Sequence, residues 1–496
     1  MMRRLPRLYP FLLAAWWILG VYQESGAPLH TLWRPLGIAL VATAIVYGMA
    51  GLLFRSREVG ALAAATAASV VLGLWIFASV LVVIAATWPL LRLRRRLAPE
   101  RPLAPLRLDR LSRGFEVFTA VLLGLAMVSG AAAGSFQVPP SPGTTAASAE
   151  RGSSSPDIYL ILLDGYPSLD TTSSEFGIDN EPFARDLTDL GFTVSRGSRS
   201  NYMQTWPSVS SLFWMRYLSD VPVLAPPPKD RSAQVRALSE AINSSASLPI
   251  LRAHGYRIVS SPSFVESTDL RSADEVLDDG DMVDLEQQIL TRSVASLDGD
   301  ALRAWVADEA RAWVAASFAH IPHVLDEVGT GPIFFFDHVL DPHAPDLHYA
   351  DGSPRDAPDC YPRTCAFWMV LAAGEGLTKA GYGDRLADEL TYLNAQVLAG
   401  VKQIVARDPS AIIIVFSDHG ARFDDADRPE WFRSFLAART PGQTDLFGPA
   451  PSPVNYLPTL FDAYFGMSLP TRAYSAWWAT AGPLDLQQFT PPPAPG

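Results

Sequence analysis

Two short stretches of this chain place residues of metal-ligand type directly after apolar, β-branched runs. Ser417-Asp418-His419-Gly420 follows Ala411-Ile412-Ile413-Ile414-Val415-Phe416, and Asp164-Gly165 follows Asp157-Ile158-Tyr159-Leu160-Ile161-Leu162-Leu163. Carboxylate oxygens and an imidazole nitrogen suit a divalent cation. The carboxyl ends of strands are where open α/β sheets bind their ligands. Asp164, Asp418 and His419 are therefore candidate ligands of one ion held across neighbouring strands.

Between these stretches lies Asn201-Tyr202-Met203-Gln204-Thr205-Trp206-Pro207-Ser208. Pro207 predicts a first helical turn and places Thr205 at a helix N-terminus, where the dipole favours an anionic oxygen or substrate. A threonine hydroxyl is a weak nucleophile unless a bound cation favours its alkoxide. A plain capping role is the commoner fate of a threonine in such a place. A fourth stretch, Asp337-His338-Val339-Leu340-Asp341-Pro342-His343, is expected just past a strand at Pro332–Phe336. Its histidines could hydrogen-bond or protonate a phosphoryl or leaving-group oxygen near neutral pH. His348 reads as a surface imidazole on a polar loop. His320 and His323 read as surface or core residues of a helix.

The elements that must position these residues follow from periodicity. Strand-like runs at Asp157–Leu163, Tyr256–Ser260, Pro332–Phe336 and Ala411–Phe416 alternate with helical patterns at Pro182–Leu190, Ser232–Ile242, Ala301–Ala316 and Asp384–Ala406. This alternation predicts an α/β domain with a largely parallel central sheet and helices on both faces. The composition of Ser135 to Ser155 predicts a flexible linker. A globular domain is expected over 156–480, with a proline-rich, disordered tail over 481–496. Cys360 and Cys365, the chain's two cysteines, read as a local disulfide in an oxidising compartment.

The front of the chain is of a different kind. Residues 1–134 hold 14 Arg, no Lys and 5 acids, whereas the whole chain nets −12. The acidic remainder argues against nucleic acid as a partner. Apolar runs at Leu8–Tyr22, Pro35–Phe54, Ala61–Leu91 and Phe115–Ala133 predict an α-helical transmembrane region of four or five spans. Arg92 to Arg113 contains eight Arg and is expected on the cytoplasmic side. The globular domain then lies outside a plasma or inner membrane.

With its four motifs in this order, the back of the chain resembles the alkaline phosphatase/sulfatase superfamily. It is most similar to the membrane-anchored, sulfatase-like branch of lipoteichoic acid synthases and lipid A phosphoethanolamine transferases. The resemblance implies an alkaline-phosphatase-like fold and one divalent metal ion held by Asp164, Thr205, Asp418 and His419. Manganese or zinc suits that set better than calcium. It also implies Thr205 as nucleophile, His343 as the catalytic partner that steadies or protonates the transferred group, and Asn201 and His338 as substrate-binding residues. No histidine follows His419, which implies one metal rather than two. A threonine where sulfatases carry a modified cysteine implies phosphate rather than sulfate esters.

The function implied is metal-dependent hydrolysis or transfer at phosphate-ester head groups of envelope lipids or glycopolymers, beside the lipid bilayer. The alternatives are a sulfuric-ester or phosphodiester hydrolase that uses water only, and a catalytically silent membrane receptor or scaffold.

Overall fold

The computed structural model describes residues 6–74, 82, 108–132, 135–136, 155–278, 282–293, 298–343, 345–358, 361, 378–422 and 425–490. The expected Cys360–Cys365 pair and most of the expected linker lie outside the described residues. The chain divides into two units, Met1–Val138 with Asp284–Leu302, and Pro139–Val283 with Arg303–Gly496.

The first unit contains the helices Tyr9–Ser25, Trp33–Leu53, Arg57–Val71 and Leu108–Ala132. Two segments, Leu29–Leu53 and Asp109–Ala132, are long and apolar enough to cross a membrane, with mean hydropathies of 2.1 and 1.8. Their large side chains face outward, as at Leu52 (82 % exposed) and Val128 (68 %). Rows of exposed aliphatic groups suit hydrocarbon rather than water. The first expected span falls in the helix Tyr9–Ser25, whose 17 residues are short for the ~20 that a bilayer core needs. Of the third, only the part up to Leu74 and Val82 lie among the described residues.

The expected continuous domain over 156–480 is interrupted, because Asp284–Leu302 groups with the first unit. There Leu285 packs with Ile18 and Tyr22. Arg34 Nε meets Glu286 Oε1 at 2.5 Å, and Arg292 Nη1 meets Glu24 Oε2 at 2.6 Å. No sequence periodicity announces this packing.

The second unit is α/β, as its alternating pattern predicts. Among the described residues its main sheet has seven strands: β1 (Ile158–Leu163), β2 (Thr193–Val194), β3 (Arg257–Ser261), β4 (Glu275–Val276), β5 (Ile333–Val339), β6 (Ile412–Phe416) and β7 (Leu436–Arg439), in the order β2-β7-β6-β1-β5-β3-β4. β4, β3, β5, β1 and β6 run parallel, while β7 is antiparallel to β6 and to β2.

The unbroken apolar character of β1 and β6 follows from burial on both faces. Tyr159, Ile161 and Leu163 join Leu386, Leu390, Leu393 and Val397 of the helix Lys379–Arg407 on one side. Ile158, Leu160 and Leu162 join Val209, Leu212 and Phe213 of the helix Thr205–Trp214, and Leu457 and Leu460 of Tyr456–Phe465, on the other. Each such side chain contributes about 1.5–3 kcal/mol by leaving water.

Two expectations are corrected. β5 runs on through Asp337 and His338 to Val339, so these two residues are strand positions, fully buried, rather than loop residues. The tail does not begin at 481. Leu486–Phe489 forms strand β9, paired antiparallel with β8 (Ala476–Ala479), because Thr480 to Asp485 close a tight reversal between them.

The topology sets up the site. β1 lies between β5 and β6, with Leu163 opposite Val339 and Leu162 opposite Phe416. Three parallel strands in this register end side by side, so the residues that follow them converge.

Candidate active site

Asp164 immediately follows β1, and Asp418 and His419 follow β6 after one residue. Ligand-type atoms of all three lie within 4.8 Å of one another, and the three side chains are buried. Two glycines permit this approach. Gly165 has φ +73°, and a Cβ there would stand 3.0 Å from His419 Cε1. A Cβ on Gly420 would meet the carbonyl oxygens of Glu430 and Arg433 at 2.3 and 2.5 Å. Gly420 admits no larger residue, and one at Gly165 would press on His419.

The helix Thr205–Trp214 begins at Thr205 itself, as Pro207 predicts. Thr205 Oγ1 donates to Asp164 Oδ2 at 3.1 Å. Ser208, one turn on, donates from its hydroxyl to the Asp418 carbonyl at 2.9 Å. The helix is thereby tied to the end of β6, and its positive end is aimed at the carboxylates.

The cluster contains more charge than its hydrogen bonds satisfy. Asp164 Oδ1, Asp418 Oδ2 and His419 Nε2 are buried without a hydrogen-bond partner, with His419 Nε2 3.4 Å from Asp164 Oδ1 and 3.5 Å from Asp418 Oδ2. His419 Nδ1 lies 2.9 Å from the Gly420 carbonyl oxygen. A carbonyl only accepts, so the ring proton sits on Nδ1 and the Nε2 lone pair points at the carboxylates.

Burial opposes ionisation of Asp164, but His343, His338 and His419 outweigh it and hold that carboxyl well below the usual range. Burial and the charge of Asp164 push Asp418 up. Two desolvated carboxyls and a lone pair aimed at one point fit a divalent cation. The residues present suit the metal that the motifs imply.

The structure relocates several expected residues. His338, expected at a substrate, is buried against Asp164: its Nε2 is 3.2 Å from Asp164 Oδ2 and its Nδ1 is 3.1 Å from Thr268 Oγ1. β5 extends one residue beyond it, and the bond to Asp164 fixes how that carboxylate is turned. Asn201, likewise expected at a substrate, is buried with its amide engaged by backbone groups. Its Oδ1 accepts from the Val454 N–H at 3.1 Å and its Nδ2 donates to the Ser475 carbonyl at 3.0 Å. These bonds close the loops around it. His343 is partly exposed, with its ring centroid 6.4 Å from that of His419. His348, expected on the surface, is buried and bonded to Glu389.

Arg422 went unread in the sequence. It is 4 % exposed, donates from Nη1 to the Met203 carbonyl and places Nη2 3.2 Å from His343 Nε2. A guanidinium has no lone pair, so His343 Nε2 accepts this bond. The only signal was an arginine three positions after His419.

No family model and no curated protein matches this chain. Solved structures similar to it include the periplasmic domain of EptC from Escherichia coli in complex with zinc, at 12 % identity and TM-score 0.39, over 68 % of this chain and 94 % of that one. The soluble domain of lipooligosaccharide phosphoethanolamine transferase A from Neisseria meningitidis matches at 12 % and 0.39, over 63 % and 88 %. The lipoteichoic acid synthase LtaP from Listeria monocytogenes matches at 10 % and 0.37, over 64 % and 72 %. Likenesses this distant say nothing of reaction or substrate, which the site's own geometry has to carry.

Proposed function

We propose that the second unit is a metal-dependent hydrolase or transferase, with Thr205 as its nucleophile, acting on phosphate-ester head groups of envelope lipids or glycopolymers. One observation carries this reading. Thr205 Oγ1 reaches Asp164 Oδ2 beside three buried atoms, Asp164 Oδ1, Asp418 Oδ2 and His419 Nε2, that have no hydrogen-bond partner among the described residues.

Asp164, Asp418, His419 and Thr205 Oγ1 are the groups that would hold one divalent ion, manganese or zinc rather than calcium. Such an ion lowers the pKa of a bound hydroxyl and offsets charge on the group in transfer. Thr205 Oγ1 gives up its proton, which Asp164 Oδ2 is placed to accept, and bonds to phosphorus as the ester oxygen departs. Arg422 and His343 stand beside each other, and His343, once protonated and released from Arg422 Nη2, would supply the proton that the departing alkoxide needs. Water or an acceptor hydroxyl then attacks phosphorus and gives its proton to His343, the bond to Oγ1 breaks, and Thr205 regains its proton from Asp164.

Two exposed apolar helices and the arginine-rich segment 92–113 support a membrane-anchored, multi-pass protein with this unit outside the membrane. The test uses purified full chain in detergent, incubated with phosphodiester and sulfate-ester chromogens with and without an alcohol acceptor. Turnover of the phosphodiester, with a phosphate-bearing Thr205 by intact mass and peptide analysis, is expected. Turnover of the sulfate ester alone overturns the phosphate assignment. An unmodified, inert protein overturns the enzyme and favours the receptor reading.

A further inference from the structure

A second group of buried ligand-type side chains, distinct from the Asp164 cluster, lies in the second unit. Asp341, His348 and Glu389 place ligand atoms within 4.8 Å of one another, all three buried. Glu389 comes from the interior of the helix Lys379–Arg407, and the other two from the segment that follows β5. Glu389 Oε1 lies 2.5 Å from His348 Nδ1, and its Oε2 accepts the His348 backbone N–H at 2.9 Å. Stacking on Tyr392, with ring centroids 4.1 Å apart, fixes the imidazole plane.

Asp346 belongs to the same neighbourhood. It is 1 % exposed, and the charge of Glu389 is felt at its carboxyl. Neither of its side-chain oxygens has a hydrogen-bond partner, nor does Asp341 Oδ2.

The charges do not balance within the protein. Of the three buried carboxylates Asp341, Asp346 and Glu389, Asp346 has Arg385 nearby, with Nε 3.6 Å from its Oδ2. Arg355 also acts on Asp346, but it is itself paired with Asp388. Negative groups outnumber the cations beside them, in a place where an unpaired buried carboxylate is costly. Protonation relieves this in a bare protein, and burial together with Glu389 does push the carboxyls of Asp341 and Asp346 up. A divalent cation relieves it without protons, and it needs the donors that stand here. Carboxylate oxygens plus one imidazole suit manganese or zinc.

We infer that Asp341, His348 and Glu389, with Asp346 beside them, form a second divalent-cation site that clamps the segment carrying His343 onto the helix Lys379–Arg407. This site is independent of the chemistry proposed for Thr205. It adds a structural ion to a protein whose motifs imply only one.

Manganese binding to the full chain tests it, read as loss of the free-ion electron paramagnetic resonance signal after chelator treatment and dialysis. Asp164→Asn/Asp418→Asn removes the first cluster and is expected to leave one equivalent bound. Adding Glu389→Gln is expected to remove that equivalent, and Asp341→Asn replaces it if circular dichroism shows the first substitution to be misfolded. No bound manganese in the double variant, or an equivalent that survives Glu389→Gln or Asp341→Asn in folded protein, overturns the inference.

Discussion

The backbone N–H of Gly165 donates to Asp418 Oδ1 at 3.0 Å, so the turn after β1 holds the carboxylate that follows β6. The bond exists because Gly165 adopts φ +73° with His419 directly above it. Side-chain substitution here acts on geometry twice. An L-residue in the left-handed region costs about 1–2 kcal/mol, and its Cβ would press His419 out of line with Asp164. Gly165→Ala is expected to lower thermal stability modestly while lowering activity by two orders of magnitude or more. A calorimetric melt and a turnover assay on the same preparation separate the two effects.

Thr205→Ala removes the only hydroxyl that reaches Asp164 among the described residues, and the helix it begins is anchored by other contacts. Turnover is expected to fall on the order of 10³-fold or more, with the melting temperature nearly unchanged. Thr205→Ser, which keeps the oxygen, is expected to retain measurable activity. Alanine and wild-type rates within tenfold of each other would refute the nucleophile assignment.

Because a metal binds the folded chain and not the unfolded one, saturating manganese or zinc at about 100 times its dissociation constant is expected to add roughly 2.7 kcal/mol. Differential scanning calorimetry with and without chelator measures this as a rise in melting temperature. Asp164→Asn/Asp418→Asn is expected to shrink the rise, and an unchanged shift would count against the cluster.

Arg422 sits against His343 Nε2 and the Met203 carbonyl, with burial lowering its pKa although Asp164 and Asp418 oppose this. Arg422→Lys keeps a charge but not the paired donors. Steady-state kinetics are expected to show KM raised tenfold or more for an anionic substrate, with a smaller change in kcat. The opposite split would assign Arg422 to positioning His343 instead.

Asp157 begins β1, where its carboxylate accepts the Ile333 N–H at 2.7 Å. Burial, with nearby Asp408 adding and the Ile333 bond opposing, pushes its pKa up to about 6. An unfolded aspartate titrates near 4. Between those values the folded chain keeps a proton that the unfolded chain has released, so stability falls as pH rises from about 4 to 6. The full effect is roughly 3 kcal/mol. Asp157→Asn retains an acceptor for Ile333, and melts at several pH values are expected to show a flatter profile than wild type across this window.

Much of the chemistry was legible in the amino-acid order. Ile158–Leu163 and Ile412–Phe416 are runs that only a doubly covered strand can use, and the ligand-type residues directly after them had to reach a sheet edge. Pro207 likewise marked a helix beginning at Thr205, because a residue lacking an N–H is tolerated in the first turn. Such features are local, and local backbone preference reports them.

Contacts between distant segments were not legible. His338 and Asn201 look like substrate ligands by position, yet β5 continues past the first and the loops at Val454 and Ser475 take up the second. His348 looks like a surface residue until Glu389, 41 positions away, is brought beside it. Which strand neighbours which is settled by burial summed over the whole sheet, and pairing of this kind leaves no mark on either partner alone. Sequence named the groups able to do chemistry; the tertiary structure decided which of them face one another, because only packing brings distant side chains within hydrogen-bond range.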